Sequence, residues 1–233
     1  MTPRPVRAVV FDMDGTLIDS EAVYRGALLH ALQALGLAAS EAFLHGLGGL
    51  AGSAVQAHIR AHFGEDFPFE AFRSHYVVRR DALAAAGIPL KPGAAEALRF
   101  VAGLHLPLAL ATSSQRESAL AHLGRLEVLA HFAALVTRED VEYLKPFPDL
   151  FLVAAARLGV PAADCLAVED SRTGVAAALA AGMMTVMVPD LAPPTDDMRA
   201  RCVAVHASLF ELPTLFAGCG KERTGACPTG VVR

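Results

Sequence analysis

Short apolar runs and stretches with a helical period alternate along most of the chain. Apart from Arg7 and Thr185, the residues of these runs are apolar throughout rather than alternating, as is typical of strands that are buried on both faces of a sheet. This alternation predicts an α/β fold, a Rossmann-like doubly wound parallel sheet with helices on both faces. The predicted strands are Val6–Phe11, Pro107–Ala111, Ala134–Val136, Cys165–Val168 and Thr185–Val188. The predicted helices between them are Ala94–Ala102, Gln115–Leu123, Asp149–Leu158 and Thr173–Ala181.

The segment from about Glu21 to Leu90 departs from this alternation, because it contains three or four helical patterns and no convincing strand. The clearest patterns, each followed by a glycine, are Tyr24–Leu35, Ala51–Phe63 and Phe69–Ala86. A purely helical block inside an α/β pattern indicates an inserted domain. We therefore predict a discontinuous α/β core of residues 1–19 and 90–217, a helical domain of residues 20–89, and a tail of residues 218–233. The tail lacks a period, and we expect it to be mobile, with a packed terminal segment as the alternative.

Composition and charge restrict the class of protein. Of the 233 residues, 54% are hydrophobic, which is enough for a buried core and argues against disorder. The net charge of −4 provides no general attraction for nucleic acid or for an anionic membrane. No pair among the four cysteines has the C-x2-C spacing of a zinc site, and no apolar stretch reaches the roughly 18 residues of a membrane span. We expect a cytoplasmic protein without a nucleic-acid or membrane partner.

Two aspartates, Asp12 and Asp14, follow the first predicted strand in the sequence FDMDGT. Ligands of open α/β sheets bind at the carboxyl ends of strands, and two neighbouring carboxylates repel each other unless a cation or a proton lies between them. A hard divalent cation suits such oxygen ligands. One carboxylate could also attack phosphorus while the other transfers a proton. A plain Asp-Gly turn is the alternative, whereas Leu17 and Val23 exclude a calcium loop, which needs Gly and Glu at those places.

Polar residues also follow the second predicted strand, in the sequence Ala111-Thr112-Ser113-Ser114. A hydroxyl group and the free amides of a following helix can bind an anion. Thr112 would then bind phosphate through its side chain, and Ser113 through its amide. Capping of the following helix by Ser113 or Ser114 explains the same residues at least as well.

Two further polar sites follow later in the chain. Lys145 precedes a proline that suits the first turn of a helix, and its charge could neutralise a phosphoryl group. Glu169, Asp170 and Ser171 follow the apolar run that ends at Val168, and they could bind a metal, cap the next helix, or do both. The four sites are more specific together than any one of them is alone.

The four motifs together resemble the haloacid dehalogenase superfamily, in particular the subfamily of β-phosphoglucomutase and small sugar-phosphate phosphatases. The similarity extends from about Val6 to Leu215, outside the tail. It rests on the sequences DMDGTLIDS, ATSS, LKPFPD and VEDSRTGVAAALAAGM, in that order.

The resemblance implies a role for each matching residue. Asp12 would be the nucleophile, and Asp14 the general acid and base as well as a metal ligand through its backbone carbonyl. Thr112, with Ser113, and Lys145 would bind the phosphoryl group. Asp170 would bind Mg²⁺ directly, with Glu169 close by and often acting through water. Residues from about Ser20 to Pro89 would form a helical cap over a small phosphorylated metabolite.

The sequence departs from the mutases in two places of the cap. Ser20 and Tyr24 stand where the mutases have Thr and His, and Gly52 stands where they have an arginine. Leu144 also replaces the Gly that is common before the motif lysine. We therefore expect a magnesium-dependent phosphatase acting through a phosphoaspartate, with a sugar-phosphate mutase as the alternative and an inactive phosphate-binding protein as a second one. Asp14 argues against dehalogenation, because dehalogenases of the superfamily lack this residue.

Overall fold

The computed structural model describes residues 2–47 and 53–216, and six strands lie within them. The strands are β1 (Ala8–Phe11), β2 (Leu108–Ala111), β3 (Phe132–Val136), β4 (Cys165–Glu169), β5 (Met184–Met187) and β6 (Ala204–Val205). They form one sheet in the order β3-β2-β1-β4-β5-β6, and every neighbouring pair is parallel. The carboxyl ends of all six strands therefore lie along the same edge.

Helices precede and follow the strands. Those in the described residues are α1 (Ser20–Ala34), α2 (Glu41–Gly46), α3 (Ser53–Phe63), α4 (Phe69–Ala86), α5 (Ala94–Gly103), α6 (Arg116–Arg125), α7 (Asp149–Leu158), α8 (Arg172–Ala180) and α9 (Asp196–Arg201). None of the helices in the two described ranges is both long enough and apolar enough to cross a membrane.

Alternate residues of β1 belong to two apolar layers, one on each face of the sheet. Val9 and Phe11 pack with residues of α5 and α6, whereas Ala8 and Val10 pack with residues of α7 and α8. All four side chains are fully buried, which explains why the strand is apolar at every position. The predicted doubly wound α/β fold is confirmed.

Three short elements escaped the sequence prediction. β6 contains two residues, and α2 and α9 contain six each, and none of them is long enough to establish a period. β3 begins at Phe132, two residues before the predicted start. The helix α7 has the bounds that were predicted.

Helices α1 to α4, Ser20–Ala86, form what we call the helical block. It has an apolar cluster of its own, which includes Leu28, Phe43, Ile59 and Phe72. The chain enters and leaves the block side by side, because the Asp19 amide donates to the Pro89 carbonyl at 2.9 Å. The separate cluster supports the division into core and cap, which stays a prediction. The tail and Gly52 lie outside the described residues.

Candidate active site

The ends of three neighbouring strands bring most of the predicted residues together. Asp12 follows β1, Thr112 follows β2, and β4 ends at Glu169, directly before Asp170. The Asp12 amide donates to the carbonyl of Val168 at 3.0 Å, which ties the end of β1 to that of β4. The topology therefore explains how residues separated by more than 150 positions meet at one edge of the sheet.

Three carboxylates form a compact cluster at this edge. Each of Asp12, Glu169 and Asp170 offers an oxygen atom, and these atoms lie within 4.8 Å of one another. Asp12 is 5% exposed and Glu169 is fully buried. Burial and the charges of Glu169 and Asp14 raise the pKa of Asp12 to about 7, although Lys145 opposes the shift. Burial and the charges of Glu169 and Asp12 raise the pKa of Asp170 to about 9.

The ammonium group of Lys145 bridges two of these carboxylates. Its Nζ atom donates to Asp12 Oδ1 and, at 2.6 Å, to Glu169 Oε1. Only 7% of the side chain is exposed. Burial alone would lower the pKa of Lys145, but the two carboxylates raise it overall. Lys145 therefore remains charged, and it holds the side chain of Asp12 in place.

Both carboxylate oxygen atoms of Glu169 accept hydrogen bonds that fix its side chain. While Oε1 accepts from Lys145, Oε2 accepts from the amides of Asp170 and Ser171 and from the Ser171 hydroxyl, each at 3.0 Å. The Ser171 hydroxyl also accepts from the Gly174 amide at 3.0 Å, so the predicted capping of α8 is confirmed for Ser171. Glu169 thus connects the first turn of α8 to Lys145.

The side chain of Asp14 points toward the end of β2. Its Oδ2 atom accepts from the Ser114 hydroxyl at 2.7 Å and from the Thr112 hydroxyl at 3.3 Å. The alternative in which Ser113 or Ser114 caps the next helix is wrong, because α6 begins at Arg116 and the residue before it is Gln115. Instead, the Ser114 amide donates to Thr112 Oγ1 at 3.0 Å. Ser113, which lies between these two residues in the sequence, is half-buried.

Gly15 and Thr16 position Asp170. Gly15 has a φ of +82°, and a Cβ atom on it would lie 2.5 Å from Asp170 Oδ2, so no larger residue fits without displacing that carboxylate. The buried Thr16 hydroxyl donates to Asp170 Oδ1 at 3.1 Å. Thr16 was given no role from the sequence, and Ser114 was considered only as a helix cap. Thr16 follows the two aspartates and the glycine of the first motif, and a hydroxyl beside such carboxylates is the signal that could have identified it. The sequence ATSS that includes Ser114 contains no carboxylate and offers no such signal.

A model of haloacid dehalogenase-like hydrolases matches residues 6–182 of this sequence. The chain belongs to this family. The matched range includes both ends of the site, from Asp12 to Asp170. The family that the motifs predicted is therefore confirmed.

Three known proteins are similar to this one over most of the chain. Hexitol phosphatase B of Escherichia coli O157:H7 is 32% identical over 93% of this chain and 97% of its own. A phosphorylated carbohydrates phosphatase of Thermotoga maritima is 30% identical over 76% and 82%. The solved structure of a family hydrolase from Deinococcus radiodurans, with bound phosphate and sodium, has 28% identity and a TM-score of 0.79, covering 93% and 97%.

Proposed function

We propose that this enzyme is a magnesium-dependent phosphatase that hydrolyses small phosphate monoesters through a phosphoaspartyl intermediate. The observation that carries the proposal is the environment of Asp12. Its carboxylate lies at a strand end, is fixed by a buried lysine, and has a second aspartate, Asp14, two residues away. This is the combination of nucleophile, fixed positive charge and acid that phosphoryl transfer to a carboxylate requires.

The class of enzyme, a hydrolase of phosphate monoesters, is confirmed at the level of the family. Relatives named as phosphatases match the chain over most of its length, and the family itself is one of hydrolases. Two of these relatives are named for phosphorylated hexitols and carbohydrates, which supports a small phosphorylated metabolite as the substrate of this chain.

The acidic cluster fits a magnesium ion. Asp12 and Asp170 would hold it, with Glu169 beside them, since their oxygen atoms lie within 4.8 Å of one another and Mg²⁺ prefers one or two carboxylates together with phosphate oxygens. The raised pKa values of Asp12 and Asp170 point the same way, because a nearby cation would favour the ionised form of both. When bound, Mg²⁺ would neutralise negative charge on the carboxylates and on the phosphoryl oxygens.

In the first step, a carboxylate oxygen of Asp12 attacks phosphorus and the bond from phosphorus to the ester oxygen breaks. The carboxyl group of Asp14 gives its proton to that leaving oxygen, so the product is a neutral alcohol. Lys145 compensates charge at the attacking carboxylate, and the Thr112 hydroxyl and Ser113 amide donate to phosphoryl oxygens. Fixed donors of this kind stabilise the charge that develops in the transition state.

In the second step, water attacks the phosphorus of the phosphoaspartate. The ionised Asp14 takes a proton from this water, the bond from phosphorus to the Asp12 oxygen breaks, and inorganic phosphate leaves. The hydrogen bond from the Ser114 hydroxyl holds Asp14 at 2.7 Å, which keeps the same carboxyl group in place for both proton transfers.

The competing proposal, a sugar-phosphate mutase, requires the phosphoenzyme to survive in water until a sugar phosphate binds. Such control needs specific polar contacts from a closing cap. The half-buried Tyr24 occupies the place of the mutase histidine, so closure is expected to depend little on the identity of the sugar.

The deciding experiment compares two products in the presence of Mg²⁺. We expect steady phosphate release from several phosphate monoesters and no efficient interconversion of β-glucose 1-phosphate and glucose 6-phosphate, even with a bisphosphate activator. The Asp12→Asn variant, which cannot form the phosphoenzyme, is the control. Rapid interconversion with little phosphate released would favour the mutase, and no turnover of any phosphate monoester would favour the inactive binding protein.

A further inference from the structure

A phenylalanine ring lies against the ammonium group of Lys145. The Nζ atom of Lys145 is placed over the ring of Phe151, 5.1 Å from its centroid. Phe151 is fully buried, and only 7% of the Lys145 side chain is exposed. A cation within about 6 Å of a ring centroid is attracted by the negative face of the ring, and this attraction is strongest where water is excluded. The contact between Lys145 and Phe151 meets both conditions.

The fold explains why this ring lies beside the active site. Helix α7 connects the end of β3 to the start of β4, and the two strands point in the same direction. The helix therefore begins near the edge where the strands end and runs back toward the opposite edge. Phe151 is the third residue of α7, so its ring belongs to the first turn, close to the strand ends that carry Asp12 and Glu169.

Small residues of the sheet make room for the ring. Phe151 belongs to the apolar layer between the sheet and helices α7 and α8, and no other described residue of this layer is aromatic. The strands contribute several alanines to the layer, namely Ala109, Ala111, Ala134 and Ala167. Aliphatic side chains could also fill the space over these alanines. An aromatic residue at the place that meets a buried ammonium group therefore indicates a role of the ring toward the charge.

The ring attracts the charge of Lys145 without using its N–H groups. An ammonium group has three N–H donors, and two acceptors, Asp12 Oδ1 and Glu169 Oε1, bind that of Lys145. A polar acceptor at the position of Phe151 would compete for the remaining N–H group, whereas an aromatic face attracts the positive charge as a whole. The third N–H group thus stays available for a phosphoryl oxygen of the substrate.

We infer that Phe151 is a positioning residue of the reaction, because its ring holds the ammonium group of Lys145 where it meets both Asp12 and the substrate. The inference rests on the proposed phosphatase function. Two hydrogen bonds leave the ammonium group free to turn about the line that joins the two acceptors, and attraction to the ring opposes this movement. A displacement of about 1 Å in such a group can cost a factor of roughly 100 in rate.

Fluorinated rings at position 151 test the inference. Fluorine atoms weaken the negative face of a ring while its volume changes little, so the series 4-fluoro-, 3,5-difluoro- and 3,4,5-trifluorophenylalanine isolates the electrostatic contact. We expect kcat/KM for p-nitrophenyl phosphate with Mg²⁺ to fall with each added fluorine. The trifluoro ring should lower it about 3–30-fold, since a desolvated contact of this kind is worth up to about 30-fold. Values that do not depend on the number of fluorines would overturn the inference.

Phe67 is the matched control position. Its buried ring lies among other aromatic rings of the helical block, and no cation is found over it among the described residues. The same three analogues at Phe67 should leave kcat/KM unchanged. An equal fall at both positions would show a general effect of fluorine on packing and contradict the assignment.

A second measurement does not depend on turnover. The sequence contains three lysines, Lys91, Lys145 and Lys221, so protein labelled with ¹³C in lysine gives few Cε signals, which Lys91→Arg and Lys145→Arg identify. In the wild type we expect the Cε group of Lys145 to be rigid and its protons to be shifted to high field by the ring. Phe151→Leu should remove this shift and lower the order parameter, while the signal of Lys91 stays unchanged. The trifluoro ring, which fills the same space, should also lower the order parameter and replaces leucine if that variant does not fold.

Together the two measurements separate this inference from the proposed function. If loss of the ring frees Lys145 while the wild type hydrolyses no phosphate monoester, the proposed function fails and the positioning role of Phe151 stands. If the wild type is an active phosphatase and Lys145 stays equally rigid without the aromatic face, the positioning role is refuted and the proposed function stands.

Discussion

Gly174 offers a sharp test of how the site is built, because alanine normally stabilises a helix relative to glycine but should destabilise the protein at this position. The residue lies inside α8, where Ala is favoured over Gly by roughly 1 kcal/mol. In this structure, however, a Cβ atom on Gly174 would lie 1.7 Å from Glu169 Oε1. Ordinary contact begins at about 3.4 Å, so the carboxylate or the helix would have to move by roughly 1.7 Å.

The cost follows from what Glu169 holds. A shift of that size breaks the hydrogen bond to Lys145 at 2.6 Å and weakens three others to Glu169 Oε2 at 3.0 Å. The loss of one buried hydrogen bond to a charged group costs about 1.5–3 kcal/mol. Partial rearrangement recovers some of this, so we expect Gly174→Ala to lower the free energy of unfolding by about 2–4 kcal/mol. Displacement of Lys145 by about 1 Å should also reduce kcat about 100-fold.

Urea unfolding and phosphate release measure the two effects. Gly124→Ala is the matched control, because Gly124 also lies in a helix, α6, and a Cβ atom there would meet nothing within 4 Å outside the helix itself. This variant should keep its activity and gain up to about 1 kcal/mol in stability. The reasoning is refuted if Gly174→Ala behaves like Gly124→Ala in both measurements.

Three other outcomes can be measured independently. Asp14→Asn should lower kcat by about 10²–10⁴-fold while Mg²⁺ binding measured by calorimetry changes little, and a near-normal rate would exclude proton transfer by Asp14. Binding of Mg²⁺ should release protons near pH 7 and tighten as the pH rises from 6 to 9, because burial and neighbouring carboxylates raise the pKa values of Asp12 and Asp170 to about 7 and about 9. Calorimetry in buffers of different ionisation enthalpy would detect the released protons, and an absence of proton release would contradict the prediction. Asp140→Asn should destabilise the fold by about 1–3 kcal/mol without changing KM. Burial would raise the pKa of Asp140, but hydrogen bonds, of which the largest contribution is from Arg157, hold this pKa below its usual value. The difference in unfolding free energy between wild type and variant, measured in urea, should therefore be full at pH 7 and shrink below about pH 4. A difference that does not depend on pH would contradict the ion-pair explanation.

The sequence was sufficient to predict the fold because the strands that carry the site are buried on both faces. β1 and β4 read as continuous apolar runs, and each is followed by carboxylates at the edge where ligands bind. The position of a side chain along its strand could thus be predicted, and Asp12, Glu169 and Asp170 were expected to lie close together. β6 could not be predicted, because two residues contain no period.

The direction of each side chain could not be predicted in the same way. The sequence ATSS is compatible with both helix capping and phosphate binding, and only the start of α6 at Arg116 excludes capping. Likewise, Glu169 was expected near the metal, and its hydrogen bonds to the first turn of α8 depend on a glycine five residues later, Gly174. Such contacts depend on the packing of a helix against a strand end, which local patterns do not record.

The charges at the strand ends explain why a cation and a proton are both needed for the proposed reaction. The carboxylates of Asp12, Asp14, Glu169 and Asp170 are opposed in this cluster by the ammonium group of Lys145. If all four carboxylates were ionised, three uncompensated negative charges would face a phosphate monoester that is itself a dianion, and in a poorly hydrated site this repulsion is strong. A divalent cation removes two of these charges, and the proton that Asp14 must carry as the acid of the first step removes the third. The protonated form of Asp14 that the first step needs is thus also the form that permits the substrate to bind. The side chain of Asp14 therefore links proton transfer to phosphate recognition.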